Sequence, residues 1–403
     1  MKFGSVPTGE ADGHVLAHSI KAQDISFKKG RVLTAEDIDA LTSAGIYQVV
    51  AAALDADDVP EDEAAAVLAK AIAGENVTIG KAFTGRVNLF SSHHGIVVLD
   101  SKRLERINRR HEAITIATLP AFDRVGENQM LATIKIIPFA APDSELDACL
   151  DIAREASSLV RVAPLQSQEV RLIQTRLAAT SSKMLDKTAR ITADRLSELG
   201  SYLAGEDRCD HRTEALETAI GGAQERGFDL LLIAGASAIT DRRDVLPAGV
   251  EAAGGRVLHF GMPVDPGNLL LLAELDGKPV LGLPGCARSP KLNGFDWVLQ
   301  RLGAGLEVTP SDIMGMGVGG LLTEIPSRPQ PRHGSGPTAQ KIAALVLAAG
   351  QSRRMGERNK LLIRIDGKPM VRRAVETVAA SKADQTIVIT GHQEDDIRAA
   401  LSG

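Results

Sequence analysis

The stretch RTEALETAIGGAQERGFDLLLIAGAS, residues 212–237, decides the fold. Its first half repeats apolar residues at helical spacing, and its second half is an unbroken apolar run ending at Gly235 and small residues. A helix followed at once by a strand without a polar face is the unit of a parallel sheet covered on both sides. Working outward, VRLIQT reads as a strand and ATSSKMLDKTARITADRLSELG as a loop plus helix, while VLPAGVEAAGG reads as a helix and RVLHFG and KPVLGLPG as strands. Residues 166–322 are therefore expected to form an α/β domain.

Residues 1–165 alternate differently. Short apolar runs (KAFTGRVNLF, HGIVVLD, AITIATL, MLATIKIIPFA) are separated by turns, with helices near TAEDIDALTSAG and EDEAAAVLAKAIAG, which predicts a mixed, β-rich α+β region. At 323–340 prolines, glycines and small polar residues replace any apolar period, as in a flexible linker. Beyond it, KIAALVLAAG, KPMVRRAVETVAASK, QTIVITG and HQEDDIRAALSG read strand, helix, strand, helix over 341–403. Two strands cannot complete a covered parallel sheet, so this last domain is expected to be incomplete.

Composition narrows the function classes. A chain of 403 residues exceeds single-domain size. A net charge of -5 and 3% aromatic content give no general attraction to nucleic acid or anionic membrane, and no stretch reaches a membrane helix in length. Three widely spaced cysteines, Cys149, Cys209 and Cys286, form neither a disulfide framework nor a zinc pattern, which suits a reducing cytoplasm.

The late loop LVLAAGQSRRMGERNKLL, residues 345–362, carries the clearest chemistry. Ala348, Ala349 and Gly350 have little or no side chain, so a nucleotide can approach the backbone and accept from main-chain N–H groups. Arg354 and Lys360 then place a planar fork and a mobile point charge where a triphosphate would lie. Neither the Walker pattern nor G-x-G-x-x-G is present. The plain alternative is a strand, turn and helix with solvated basic residues.

This loop resembles the nucleotidyltransferase signature L-A-[AG]-G-x-x-x-R-M-G with a following lysine, matching at the turn, Arg354, Met355, Gly356 and Lys360. LAAG with NKLL looks most like the molybdopterin cytidylyltransferases; the guanylyltransferase relatives carry a glycine where Ala349 stands. The resemblance implies a Rossmann-like fold, CTP as nucleotide and Mg²⁺ as cofactor. It also places the family's metal-binding aspartates beyond Gly403, so the chain as given is expected to bind nucleotide weakly and not to complete transfer.

In the middle domain, LLIAGASAITDRRDVLPAGV resembles the G-G-x-S-x-G-x-x-D loop of the molybdopterin-binding domain of molybdenum insertases, at Gly235, Ser237, Asp241 and Asp244. PVDPGN resembles its Pro-Gly segment, and GLPGCARSP, with Gly285, its G-L-P-G-N-P-x-S motif. Of the family's T-G-[DN]-E only Thr175 is present, and Cys286 stands where asparagine is usual. These departures favour binding of a pterin phosphate over catalysis in this domain. The plain alternatives are a capped helix beside solvated Arg242 and Arg243 for Asp241 and Asp244, a helix N-cap for Asp210, and for Cys286 a small buried thiol rather than a soft metal ligand.

The N-terminal segment GHVLAHSIKAQDISFKKG is similar to the opening of molybdenum insertases. His93 and His94 lack companion ligands, which makes a turn the better reading than a metal site, and KRLERINRRHE at 102–112 is a solvated basic helix face by default. The resemblances together imply molybdenum cofactor biosynthesis by an α/β multidomain chain. Such a chain takes molybdopterin and a nucleoside triphosphate, supplies a molybdenum hydroxylase and self-associates. The alternatives are a non-catalytic molybdopterin carrier and a nucleotidyltransferase for another phosphorylated acceptor.

Overall fold

The computed structural model describes residues 1–22, 25–322, 343–350, 352, 359–381, 383 and 385–402. The expected linker at 323–340 lies outside the described residues, as do Arg354 and Gly356. The chain divides into two compact units, Met1–Glu324 and Ile325–Gly403.

At the start of the first unit, strands Lys2–Pro7, Gln48–Ala53 and Val15–Leu16 form an antiparallel sheet beside the helix Ala35–Ser43. Leu16, Leu33, Leu41 and Val49 fill the core between them. The helix starts where it does because Thr34 and Asp37 cap each other reciprocally, and Arg31 grips Asp37 through two hydrogen bonds of 2.7 and 2.8 Å.

A second lobe follows. Four antiparallel strands in the order Ile114–Thr118, Met130–Ile136, Arg86–Ser91, Val77–Ile79 pack with a smaller sheet and the helices Glu61–Ile72, Ser101–Asn108 and Asp143–Arg154 around one apolar core. The arginines of the basic stretch at 102–112 are mostly engaged rather than solvated, while Lys102 is exposed. Arg103 is buried and donates to Asp100 and to the Ala153 and Ser157 carbonyls, while Arg106 pairs with Glu155 and Arg110 with Glu145.

The rest of this unit is the α/β domain. Its strands are β1 (Glu169–Arg176), β2 (Tyr202–Asp210), β3 (Leu230–Ala234), β4 (Arg256–Phe260), β5 (Leu271–Leu275) and β6 (Lys278–Leu283). Its helices are α1 (Ser182–Glu198), α2 (Thr213–Arg226), α3 (Val245–Ala252) and α4 (Gly294–Gly303). The six-stranded sheet runs β2-β1-β3-β6-β5-β4, the first four strands parallel and the last two joined antiparallel. β3 is buried along its whole length, with separate apolar clusters on the two faces of the sheet. β5 and β6 are joined at Asp276 and Gly277, both at positive φ (52° and 73°), the backbone that an Asp-Gly hairpin turn requires.

In the second unit, β7 (Ala343–Ala348) and β8 (Gln385–Thr390) pair in parallel, with α5 (Met370–Ala379) and α6 (Glu394–Leu401) covering one side through Val371 and Ile397. On the other side Leu345, Leu347, Ile387 and Ile389 form an exposed apolar face. The α/β multidomain class expected from the sequence is the one observed.

Candidate functional site

Parallel strands end together, so the loops after β1, β3 and β6 meet at one edge, where α/β sheets place ligands. Thr175, at the end of β1, is fully buried. Its hydroxyl accepts from the Ala236 amide in the loop after β3 (2.8 Å) and shares a hydrogen bond of 2.8 Å with His211 Nδ1 beyond β2. One side chain thus ties three strand ends together.

Gly235 has no room for a side chain. A Cβ there would lie 2.9 Å from the Ser237 carbonyl oxygen and 3.0 Å from Leu246. The loop therefore turns tightly and leaves Ser237 exposed at its crest. Asp241 and Asp244 take different roles. Asp244 caps α3, accepting from Val245 N (2.8 Å) and Thr240 N (3.1 Å). Asp241 is exposed and held by Arg243, whose side chain and amide keep its carboxyl below the ordinary range. The helix-cap reading describes Asp244, while Asp210 ends β2 and caps nothing; the residue before α2 is Arg212.

The loop after β6 is built from underneath. Arg195 of α1 donates to Asp296 (2.7 Å) and to the carbonyls of Ala287 (2.7 Å), Ser289 and Lys291 (3.2 Å). Desolvation raises the Asp296 carboxyl above its ordinary range in spite of that guanidinium. Gly285 is exposed with open space beside it, and burial pushes the Cys286 thiol up, as for an inert small side chain rather than a thiolate.

Arg288, in the same loop, stands at the variable position of GLPGCARSP, which gives its residue type no meaning in the sequence. It donates to the Gly235 carbonyl (2.7 Å) and approaches Met184 Sδ (3.4 Å), with no carboxylate partner among the described residues. Burial lowers its proton affinity, so an anion arriving at this edge would restore what the guanidinium lost on leaving water.

In the second unit β7 ends at the buried Ala348; Ala349 packs against Gly391, where a Cβ would come within 2.8 Å of its own, and Gly350 has open space around it. Ser352 and Asn359 are hydrogen-bonded to each other. Ser352, at φ +49°, donates to Asn359 Oδ1 (3.2 Å) and accepts from the Lys360 amide (3.1 Å), while Asn359 Oδ1 also accepts from the Leu361 amide (3.1 Å). Asn359 is buried, and its Nδ2 has no partner among the described residues. A buried donor beside an exposed Lys360 suits an acceptor-rich ligand.

Residues 344–403 match the MobA-like NTP transferase domain. Residues 5–53 match a domain of unknown function, DUF8806. Among curated proteins, the bifunctional protein GlmU of Brevibacillus brevis is 45% identical over 62 residues, 15% of this chain and 13% of the relative. That of Sorangium cellulosum is 41% identical over 61 residues, with the same shares. The chain thus spans about an eighth of the length of the curated relatives it matches.

Among solved structures, the molybdopterin biosynthesis MoeA protein of Pyrococcus horikosii aligns over 75% of each chain at 12% identity and a TM-score of 0.27. A molybdenum cofactor biosynthesis protein B aligns over 35% of this chain and 95% of that one, at 15% identity and a TM-score of 0.26. A molybdenum cofactor biosynthesis protein from Pyrococcus furiosus aligns over 76% and 64%, at 13% identity and a TM-score of 0.21. Among the described residues no helix is long and apolar enough to cross a membrane.

Proposed function

We propose that the protein serves molybdenum cofactor maturation: residues 166–322 hold molybdopterin, and the C-terminal domain transfers CMP from CTP to its terminal phosphate. The match of residues 344–403 to the MobA-like NTP transferase domain carries the proposal, since it covers the loop from Ala348 to Lys360. In the reaction a phosphate oxygen of the pterin attacks the α-phosphorus of CTP. A new P–O bond forms as the bond to the departing pyrophosphate breaks, giving the cytosine dinucleotide. Ala348, Ala349, Gly350 and Gly356 would let the triphosphate reach the backbone, while Arg354 and Lys360 neutralise charge on it.

Among the described residues no three His, Cys, Asp or Glu side chains gather into a set that could hold Mg²⁺. The pterin phosphate is assigned to the edge formed by Thr175, Gly235, Ser237 and Gly285, with Arg288 as its cation. Asp241 and Asp244 shape that edge; Asp241 is the one left near enough to solvent to meet a pterin donor. A molybdenum hydroxylase would receive the product, and self-association belongs to the same proposal. The description of the matched NTP transferase domain names no acceptor, which leaves a second reading, a nucleotidyltransferase for another phosphorylated acceptor.

The test is to incubate full-length protein with molybdopterin, Mg²⁺ and, separately, CTP, GTP or ATP, following pyrophosphate and the pterin dinucleotide. Product with CTP alone, falling about 100-fold in Lys360→Ala, is the expected result. Pyrophosphate release only when a sugar phosphate replaces molybdopterin would transfer the assignment to the second reading. No release with any acceptor would end both.

A further inference from the structure

A second cleft, of about 770 Å³, lies between the turn at residues 120–123, the outer face of α4 and the segment 311–319. It shares no lining residue with the loops after β1, β3 and β6. Its size is that of a small-molecule pocket.

Arg301 is the group in it that the fold does not explain. The guanidinium carbon stacks 3.9 Å from the centre of the Phe122 ring, Nε is buried without a hydrogen-bond partner, and among the described residues no carboxylate forms an ion pair with it. Asp312, on the same cleft wall, is engaged by the amide and hydroxyl of Thr309 in a reciprocal cap. Burial depresses the proton affinity of Arg301, and the nearby Asp312 carboxylate offsets only part of that. A part-buried cation with a buried Nε that nothing accepts from, and no carboxylate hydrogen-bonded to it, lowers stability unless something else needs it.

The wall opposite is also held in an unfavourable state. Phe122 sits at φ +67°, a conformation bulky residues avoid, with its amide bonded to the Val97 carbonyl at 2.8 Å. That backbone places the ring under the guanidinium. Trp297, half-buried, adds an indole to the same cleft, and the exposed Lys102 and Asp123 stand on its rim.

We propose that this cleft binds a planar aromatic ring carrying a phosphate, of the nucleoside monophosphate class. Arg301 and Lys102 take the phosphate, the indole of Trp297 takes the ring, and Asp123 accepts from a hydroxyl or amino group of the ligand. The site is independent of the transfer site, so the two proposals stand or fall separately.

Trp297 is the chain's single tryptophan and reads the cleft directly. The full chain is titrated with CMP, AMP and GMP, and in parallel with cytidine and with inorganic phosphate, following Trp297 emission corrected for ligand absorption. A saturable change is expected with at least one monophosphate, about tenfold or more weaker with cytidine or phosphate alone. Arg301→Leu should weaken it about tenfold or more without lowering Tm, because it removes a part-buried charge that has no hydrogen-bonded carboxylate, and Lys102→Ala should weaken it while leaving the fold untouched. Lys360→Ala should leave the titration unchanged. The proposal is overturned if no monophosphate gives saturation by millimolar concentration, if phosphate alone binds as well, or if both cleft variants titrate as the parent. A drop in Tm for Arg301→Leu, with Lys102→Ala titrating as the parent, would equally overturn it by making Arg301 a structural residue.

Discussion

Thr175 has no exposed surface, yet its hydroxyl serves two loops at once, the Ala236 amide on one side and His211 on the other. Thr175→Val keeps the shape and deletes both bonds, leaving a part-buried N–H and an imidazole nitrogen unpaired. A loss of about 1–3 kcal/mol in urea unfolding is expected, and on the proposed function any pterin affinity should fall as the Gly235 turn loosens. Thr175 was legible as the surviving residue of a family motif. Arg288, whose guanidinium meets the Gly235 carbonyl, was not: a lone arginine in a loop has no period and no spacing, and only the folded chain shows that its neighbours withhold a carboxylate. Asp244 was legible in both its readings, and the cap is the one its hydrogen bonds describe.

Elements differ in how much of themselves the sequence announces. β3 was plain because five consecutive buried apolar residues admit no helix face. β2, YLAGEDRCD, carries no such mark, because it is an edge strand whose interior residues are all half-buried, so neither alternation nor an apolar run shows it. β5 was missed although its Asp-Gly turn is a standard hairpin signal, visible once LLAEL is read together with KPVLGL. The link between α1 and the loop after β6 could not be read at all, since Arg195 and Asp296 lie 101 positions apart. That link should be measurable. Arg195→Met strands the buried Asp296 and three loop carbonyls, with an expected loss of about 3–5 kcal/mol in chemical unfolding. Asp296→Asn in the same background should recover part of it, because the uncompensated charge is then gone.

At the scale of the whole chain, the two units differ in how deeply they bury their sheets. β3 lies between two apolar clusters, whereas β7 and β8 form a two-stranded sheet whose buried cluster is centred on Ala348, Val371 and Ile397. Two strands are marginal as an independent sheet. Amide exchange should therefore be much faster across Gln385–Thr390 than across Leu230–Ala234, the first opening locally and the second only with the unfolding of its domain. Equal protection in the two strands would refute this ranking.

The uncovered face of that small sheet sets a practical limit as well. Leu345, Leu347, Ile387 and Ile389 present four large apolar side chains in one register, side by side, on a flat parallel pair. Salts that are excluded from protein surfaces raise the cost of wetting such a patch more than that of wetting the charged surface around it. Leu347→Lys should therefore raise the ammonium sulfate concentration at which the chain precipitates.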